Sequence, residues 1–363
     1  LTMSDGGTVR SNVWLYWTWN ALASNTPVNV DFSADGGETW SNIAAGIYVN
    51  QGTTGLLWQT TNSQSTAMGV WRVVTATNDP AIEGRTETLF AVKNAALEYY
   101  INDASTNGDV YCTAIGRSTN TGTSVQAPLD SIERLFGRYK VEHGDTVYVD
   151  TGIYPRSSPL VISAQPQGST NFLVIRGSTN EAAGGTIFTN SSYGLGLPQA
   201  VVELENSQLL ELHDLRLHGA DRGLMLRAAI SNRLVRVRSV GSHGHGFDLD
   251  VHSDQNQFIQ CAALNFMRTG FYIAQVSGTQ PPTNNFWIGG VIAPVPATTA
   301  GVAVSTGALV GVQSGRLYIS NSVFYASSPA HTVYSVVSNA IVGDYNCYHL
   351  EFNGSDFSKL YST

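Results

Sequence analysis

Four short phrases, each opened by a glycine, constrain this chain more than anything else in it. Gly223-Leu-Met-Leu-Arg, Gly246-Phe-Asp-Leu-Asp, Gly270-Phe-Tyr-Ile-Ala and Gly301-Val-Ala-Val-Ser put apolar side chains at the first and third places after the glycine, at intervals of 23, 24 and 31 residues. Matching second segments lie between them: Asn232-Arg-Leu-Val-Arg-Val, Asn256-Gln-Phe-Ile-Gln-Cys and Asn284-Asn-Phe-Trp-Ile-Gly. Alternation within five residues is the period of a strand, not a helix. A unit of this size cannot bury its own apolar face, so copies must stack. The simplest object that satisfies both conditions is a parallel β-helix.

Stacking turns spacing into neighbourhood. Rungs about 4.8 Å apart place equivalent positions in columns. The inward columns are expected to be Leu224/Phe247/Phe271/Val302 and Leu226/Leu249/Ile273/Val304. The outward ones are Met225/Asp248/Tyr272/Ala303 and Arg227/Asp250/Ala274/Ser305. Just before the glycines, Asp221/Gly244/Arg268 and Arg222/His245/Thr269 fall together.

Composition bounds the function. Only 13% of the 363 residues are charged and the net charge is −8, which argues against nucleic acid as a partner. No apolar run approaches the roughly 18 residues that a membrane span needs. The 36 glycines, with much Asn, Ser and Thr, give a turn-rich, all-β, extracellular character. Cys112, Cys261 and Cys347 cannot all pair within the chain, and Cys261, on an apolar strand, is expected to be a small core residue. A start at Leu1-Thr-Met-Ser and an end without an evident capping element suggest a segment of a larger secreted protein, its coil cut short at the C-terminus.

Residues 1–95 differ in kind. Val13-Trp-Leu-Tyr-Trp-Thr-Trp, Val28-Asn-Val-Asp-Phe, Gly69-Val-Trp-Arg-Val-Val and Thr86-Glu-Thr-Leu-Phe-Ala-Val read as strands of a β-sandwich, and six of the seven tryptophans here are enough for its core. Ser33-Ala-Asp-Gly-Gly-Glu-Thr-Trp40 matches the Asp-box pattern, a hairpin device in which Ser and Asp bond the turn backbone while Trp packs beneath. The segment resembles fibronectin-III or immunoglobulin-like accessory modules of bacterial surface proteins.

From residue 96 to 363 the coil is expected. Tyr99-Tyr-Ile-Asn-Asp, then Gly144-Asp-Thr-Val-Tyr-Val-Asp-Thr-Gly-Ile-Tyr154 with Leu160-Val-Ile-Ser, resembles the opening of right-handed parallel β-helix proteins of the pectate-lyase-like superfamily. The resemblance covers residues 99 to about 350. It implies a capping helix, here 127–140 with Leu129, Ile132, Leu135, Phe136 and Tyr139 at helical spacing, plugging the coil. It implies no single reaction, since that superfamily holds lyases, hydrolases, epimerases, tailspikes and adhesins. The oxygen-rich Asn102–Val110 stretch, with Asp103 and Asp109, is a Ca²⁺ candidate, but a hydrogen-bonded loop is the better reading because EF-hand spacing is missing. No other cofactor or metal is indicated.

Charge is scarce, so its clustering matters. Seven of 19 basic residues (Arg216, Arg222, Arg227, Arg233, Arg236, Arg238 and Arg268) and five of eight histidines (His213, His218, His243, His245 and His252) fall in one window, with Asp221, Asp248, Asp250 and Asp254. One reading is structural: cross-rung Arg–Asp pairs that stabilise a sheet by roughly 0.2–1 kcal/mol each. Another is polysaccharide recognition, with arginine and histidine gripping acidic groups and Tyr272 or tryptophans stacking on sugar rings; Arg227, His243 and Asp221 join that set. A third is catalysis. In β-elimination from a uronic acid, His245 or Tyr272 takes the proton while Arg222 or Arg268 neutralises the carboxylate. In hydrolysis, Asp248 and Asp250 form the acid–base pair. Gly244-His245-Gly246 resembles the Gly-His-Gly of polygalacturonases, but the Asn-Thr-Asp and Asp-Asp that accompany it in that family are missing. The expectation is an extracellular module that binds or scaffolds polysaccharide, with a polysaccharide lyase, a glycoside hydrolase and a purely structural filament or spacer as alternatives. Partners would be glycans, neighbouring copies or other domains of a longer chain.

Overall fold

The computed structural model describes residues 2–3, 7–19, 25–48, 52–76, 82–166, 169–191, 199–274, 280–294, 308–326, 332–336, 340–350 and 361–362. Internal contacts divide the chain into two units, Leu1–Glu98 with Glu133–Val141 and Tyr99–Ile132 with Glu142–Thr363.

The larger unit is a parallel β-helix. Its strands fall into three parallel sheets of nine, eight and eight, visited in the same order on every turn. The first sheet runs from Glu98–Ile101 to Ile341–Asp344, the second from Gly152–Arg156 to Cys347–Leu350, and the third from Leu160–Ile162 to Tyr361–Ser362. Leu224, Phe247 and Phe271 stand in register, each 0% exposed, so the expected interior stack exists. The fourth glycine-led phrase, 301–305, lies outside the described residues. The strand that continues the column is Ala308–Val312, and Val310 and Val312 hold the places expected of Val302 and Val304.

Two features of the backbone explain the repeat. Between the first and second sheets the turn is made by one residue in the left-handed region: Asp214, Arg236, Gln260, Gly289, Asn321 and Tyr345, with φ of 51° to 64°. The glycines at 223, 246 and 270 lie at the start of the third-sheet strands, where the wall against the second sheet has no room for a side chain. A Cβ on Gly246 would lie 2.6 Å from the carbonyl oxygen of Gly270 and 2.8 Å from the Cβ of Ala263. Glycine is required there for close approach, not for an unusual φ.

Inside, Phe247, Phe258, Phe271 and Trp287 interlock edge to face. Phe258 and Phe271 have centroids 5.0 Å apart at 87°, and Phe271 and Trp287 5.2 Å apart at 72°. Such pairs add about 0.5–1.5 kcal/mol each beyond their burial. Beside them runs an asparagine ladder. The Nδ2 of Asn232 donates to the Oδ1 of Asn256, and the Nδ2 of Asn256 to the Oδ1 of Asn285, both at 3.1 Å. Each accepting oxygen also takes the backbone N–H of the preceding ladder residue. The ladder residue is thus Asn285, not Asn284, because Asn284 is spent on the turn with φ 53°. Cys261 is buried as expected, but in the corner between Gln257–Ile259 and Ala262–Leu264 rather than on a strand.

The helix is confined to Ile132–Arg138, shorter than 127–140. The reason lies just upstream: Leu129 donates its N–H to Tyr100 and accepts from Asn102, so it is extended backbone paired with the first strand. Ile132 and Leu135 form the buried face of the helix, Tyr139 is buried just beyond its end, and residues 133–141 group with the N-terminal unit.

That unit holds a six-stranded sheet whose ladders are antiparallel apart from Thr8–Val9 against Phe90–Val92, and a separate antiparallel ribbon of Asn12–Trp19 and Gly52–Gln59. Leu15, Trp17, Val30, Trp58, Trp71 and Phe90 build its core. The Asp-box turn forms: Asp35 Oδ1 accepts from the hydroxyl of Ser33 (2.6 Å) and the N–H of Thr39 (2.9 Å). Hydrogen bonds, that from Ser33 foremost, hold the Asp35 carboxyl down at about 2. Two tryptophans depart from the expected core. Trp40 lies half-buried under the Arg72 guanidinium at 4.2 Å, and Trp14 is 51% exposed.

Candidate functional site

The outer face of the third sheet carries the cluster. Glu203, Met225, Asp248, Tyr272 and Gly311 follow one another in register, and Arg222, His245 and Thr269 form a second column three positions earlier. The pairing rule that strand neighbours share a face therefore brings together Arg222, His245, Asp248 and Tyr272 from three separate turns. Ala303 does not follow Tyr272; Gly311 does, and its bare Cα leaves space for the tyrosine ring, to which a Cβ would come within 3.0 Å.

These side chains point away from the core, yet they are covered. Asp248 is 2% exposed and Met225 4%. The Nε of Arg222 is bonded to Asp248 Oδ2, and its Nη1 reaches Asp221 Oδ2 at 3.1 Å. His245 stacks on Tyr272, with centroids 4.3 Å apart and planes 7° from parallel. Between Arg222 and Tyr272, Oδ1 of Asp248 and Nδ1 of His245 are buried with no hydrogen-bond partner among the described residues. Burial pushes the Asp248 carboxyl up to about 6, against the pull of Arg222. Burial, helped by the charges of Arg222 and Arg268, pushes His245 down to about 3, so its ring is neutral over the physiological range. Burial also raises the Tyr272 hydroxyl.

Of the seven clustered arginines, six are neutralised across rungs. Arg227 bridges Glu203 (3.0 Å) and Asp250 (3.6 Å), Arg233 pairs with Glu211 (3.3 Å), and Arg236 grips Asp214 with two bonds of 2.6 and 2.8 Å. Arg216 and Arg238 share Glu181, and Arg222 is held by Asp248 and Asp221. Arg268 is different. It is exposed at the turn beside His245, its N–H bonded to the Gly244 carbonyl, and its side chain has no ion pair among the described residues. Periodicity could place it in the turn, but its freedom follows from where the acids stand.

The remaining residues named from the sequence take quieter places. His243 turns Nδ1 toward the Ala220 carbonyl at 3.4 Å. His213 pairs with Glu211, and burial lowers His218. Asp254 accepts the N–H and hydroxyl of Thr283. Asp103 caps the N–H of Ser105 at 2.7 Å, and Asp109 Oδ2 accepts from the Asn102 amide at 2.6 Å. No cluster of three or more metal-type ligands occurs among the described residues. Sequence reading missed Asp150, whose carboxylate accepts the N–H groups of Val110, Tyr111 and Cys112. The Gly-Asp-Thr-Val-Tyr-Val-Asp phrase was its only signal.

No protein-family model matches the chain, and no curated protein matches it. Among solved structures it is similar to an alginate lyase from Paenibacillus sp. str. FPU-7, at 11% identity and TM-score 0.36 over 58% of this chain and 90% of that one. The pectate lyase Pel9A is matched at 11% and 0.36, over 72% and 82%. The catalytic domain of a GH87 alpha-1,3-glucanase in complex with nigerose is matched at 13% and 0.36, over 93% and 66%. Identities and scores of this size leave the chemistry to be argued from the chain's own residues.

Proposed function

We propose that the coil is a polysaccharide-recognition module in which the outer face of the third sheet receives an acidic sugar chain, with Arg268 as its anion contact. The observation that carries this reading is the selective freedom of Arg268: every other arginine of the cluster is paired with an acid. Tyr272, half-exposed and rigidified by His245, supplies an apolar ring beside it. The N-terminal unit is read as a sandwich-type accessory module, and the low charge and turn-rich composition support an extracellular setting.

Recognition is favoured over elimination by the state of the candidate base. A proton acceptor works best with a pKa near the working pH, and His245 stands near 3. Asp248 stands closer to neutrality but is sealed from solvent and bonded to Arg222. Affinity electrophoresis in gels containing polygalacturonate or alginate provides the test. Retardation is expected for the wild type and about tenfold weaker binding for Arg268→Ala, the loss of one charge-assisted contact. Equal retardation of both proteins would remove the site. Release of unsaturated, ultraviolet-absorbing product from either polymer, lost in His245→Ala, would instead establish a lyase.

A further inference from the structure

We infer that the outer face of the N-terminal ribbon, Asn12–Trp19 with Gly52–Gln59, is a second and independent binding platform, shaped for an uncharged polysaccharide. The strand alternates strictly: Leu15 and Trp17 are buried in the core of the unit, while Trp14 and Tyr16 face outward, 51% and 43% exposed. Burying a tryptophan removes some 150–250 Å² from water and is a large share of a small core's stability. Here half of that surface remains in solvent. The two rings are parallel within 14°, with centroids 5.8 Å apart. Both lie over the opposite strand at Gly55, where a Cβ would sit 2.7 Å from Tyr16 Cε1 and 3.6 Å from Trp14 Cε3. A glycine across the ribbon thus lets the rings lie down and present a continuous apolar surface.

Charge selects the occupant. Residues 11–30 and 41–66 contain no Asp, Glu, Lys, Arg or His. A nucleic acid or an anionic lipid surface would call for cations on this face, and an acidic glycan would call for the same. A neutral sugar chain asks only for apolar surface under its C–H groups and amides for its hydroxyls. Both are present and continuous. Leu57 stands opposite Trp14 in the ribbon and also lines an adjoining cleft of about 780 Å³, whose walls include Gln59, Gln64 and Ser63 and a single carboxylate, Asp35, which would repel an acidic chain but accept a sugar hydroxyl.

The test uses the whole chain and soluble neutral polymers (xyloglucan, glucomannan and laminarin) in affinity gels, with crystalline cellulose and chitin in pull-downs. At least one neutral polymer is expected to bind the wild type and to quench its tryptophan fluorescence. Trp14→Ala and Tyr16→Ala are each expected to weaken that binding about tenfold or more, the range of one lost stacking contact or above. Tyr16→Phe, which keeps the ring, should bind like the wild type, and circular dichroism checks that each variant folds. Arg268→Ala should leave neutral binding untouched, and Trp14→Ala should leave acidic binding untouched, so the two sites fail separately. The inference is overturned if none of the five polymers binds, or if Trp14→Ala binds them as the wild type does. It is equally overturned if Trp14→Ala changes only self-association in sedimentation velocity, which would make the face a contact between copies.

Discussion

The outer face of the third sheet and the outer face of the N-terminal ribbon both turn side chains away from a core, and they treat them in opposite ways. On the coil, Asp248 and Met225 end up as covered as interior residues: Arg222 reaches Asp248 from the neighbouring rung, and Arg227 folds back over Met225 on its own strand. On the ribbon, Thr2 meets Tyr16 at its backbone, and Trp14 and Tyr16 keep about half their surface in water. A solenoid supplies cover to its own exterior, since every outward side chain has neighbours one rung away on either side. A two-stranded ribbon has one cross-strand partner for each residue, and at Gly55 that partner has no side chain at all. What remains open within the arginine cluster, Arg268, is therefore informative, because its six companions are paired.

The contrast can be broken first at Arg222. Arg222→Met removes the partner of a buried carboxylate, a change that costs about 3–5 kcal/mol, and denaturant unfolding followed by far-ultraviolet circular dichroism should register it at pH 7.5. The loss should shrink near pH 5. The folded-state pKa of Asp248 is already raised to about 6, and without Arg222 it rises further, so a proton then removes the buried charge. An equal loss at both pH values would mean that Asp248 is not the group left stranded.

His245 gives the next effect. Its folded pKa lies near 3, below the ordinary value of about 6.5. Its contribution to stability is therefore complete above pH 6.5 and is lost progressively as pH falls toward 3. Between pH 7 and pH 5 the loss amounts to roughly 2 kcal/mol. Asp248 works in the opposite sense, its raised pKa adding stability as pH falls through 6 toward 4. The wild-type profile mixes the two, so the measurement is the difference between wild type and His245→Phe: the variant should gain on the wild type as pH falls. A gap that stays constant with pH removes the buried neutral histidine from the account. The smallest effect belongs to the ribbon, where Trp14→Ala, which gives up only a half-buried ring, should lower unfolding free energy by about 1 kcal/mol. A drop of several kcal/mol would show that the ring is a core residue after all.

Much of this was legible in the residues themselves. The glycine-led phrases placed Leu224, Phe247 and Phe271 in one stack and Arg222 beside His245, because strand period and rung spacing leave little freedom once the repeat is recognised. What could not be read was anything that depends on where an irregular segment ends. The phrase at Gly301 matched the pattern, but the chain reaches the next rung only at Ala308–Val312. The third polar phrase, read from Asn284, starts one residue early: Phe258 pairs with Trp287, and the left-handed turn at Asn284 hands the ladder place to Asn285. Helical spacing ran from Leu129 to Tyr139, yet Leu129 was claimed by backbone pairing with Tyr100 and Asn102. Six tryptophans suggested one core, but composition does not say which face of a strand is covered. The site itself was half visible: its members followed from the register, whereas their pairing followed from acids such as Glu181, Glu203 and Glu211 that no spacing had singled out.

The one-residue turn between the first and second sheets also limits how this architecture can change. From Asp214 to Tyr345 every circuit crosses that corner in a single step, while the stretch from Ile273 to Asn285 and that from Ala293 to Ala308 show the chain lengthening at the other two. One extra residue at the tight corner would invert the alternation of the strand that follows and present its interior face to water. Insertions, whether by evolution or by engineering, are thereby channelled to the remaining edges. Those two edges flank the third sheet, where Arg268 immediately precedes the strand Thr269–Ile273, so new loops would grow up as walls around the proposed sugar site while the opposite corner stays smooth.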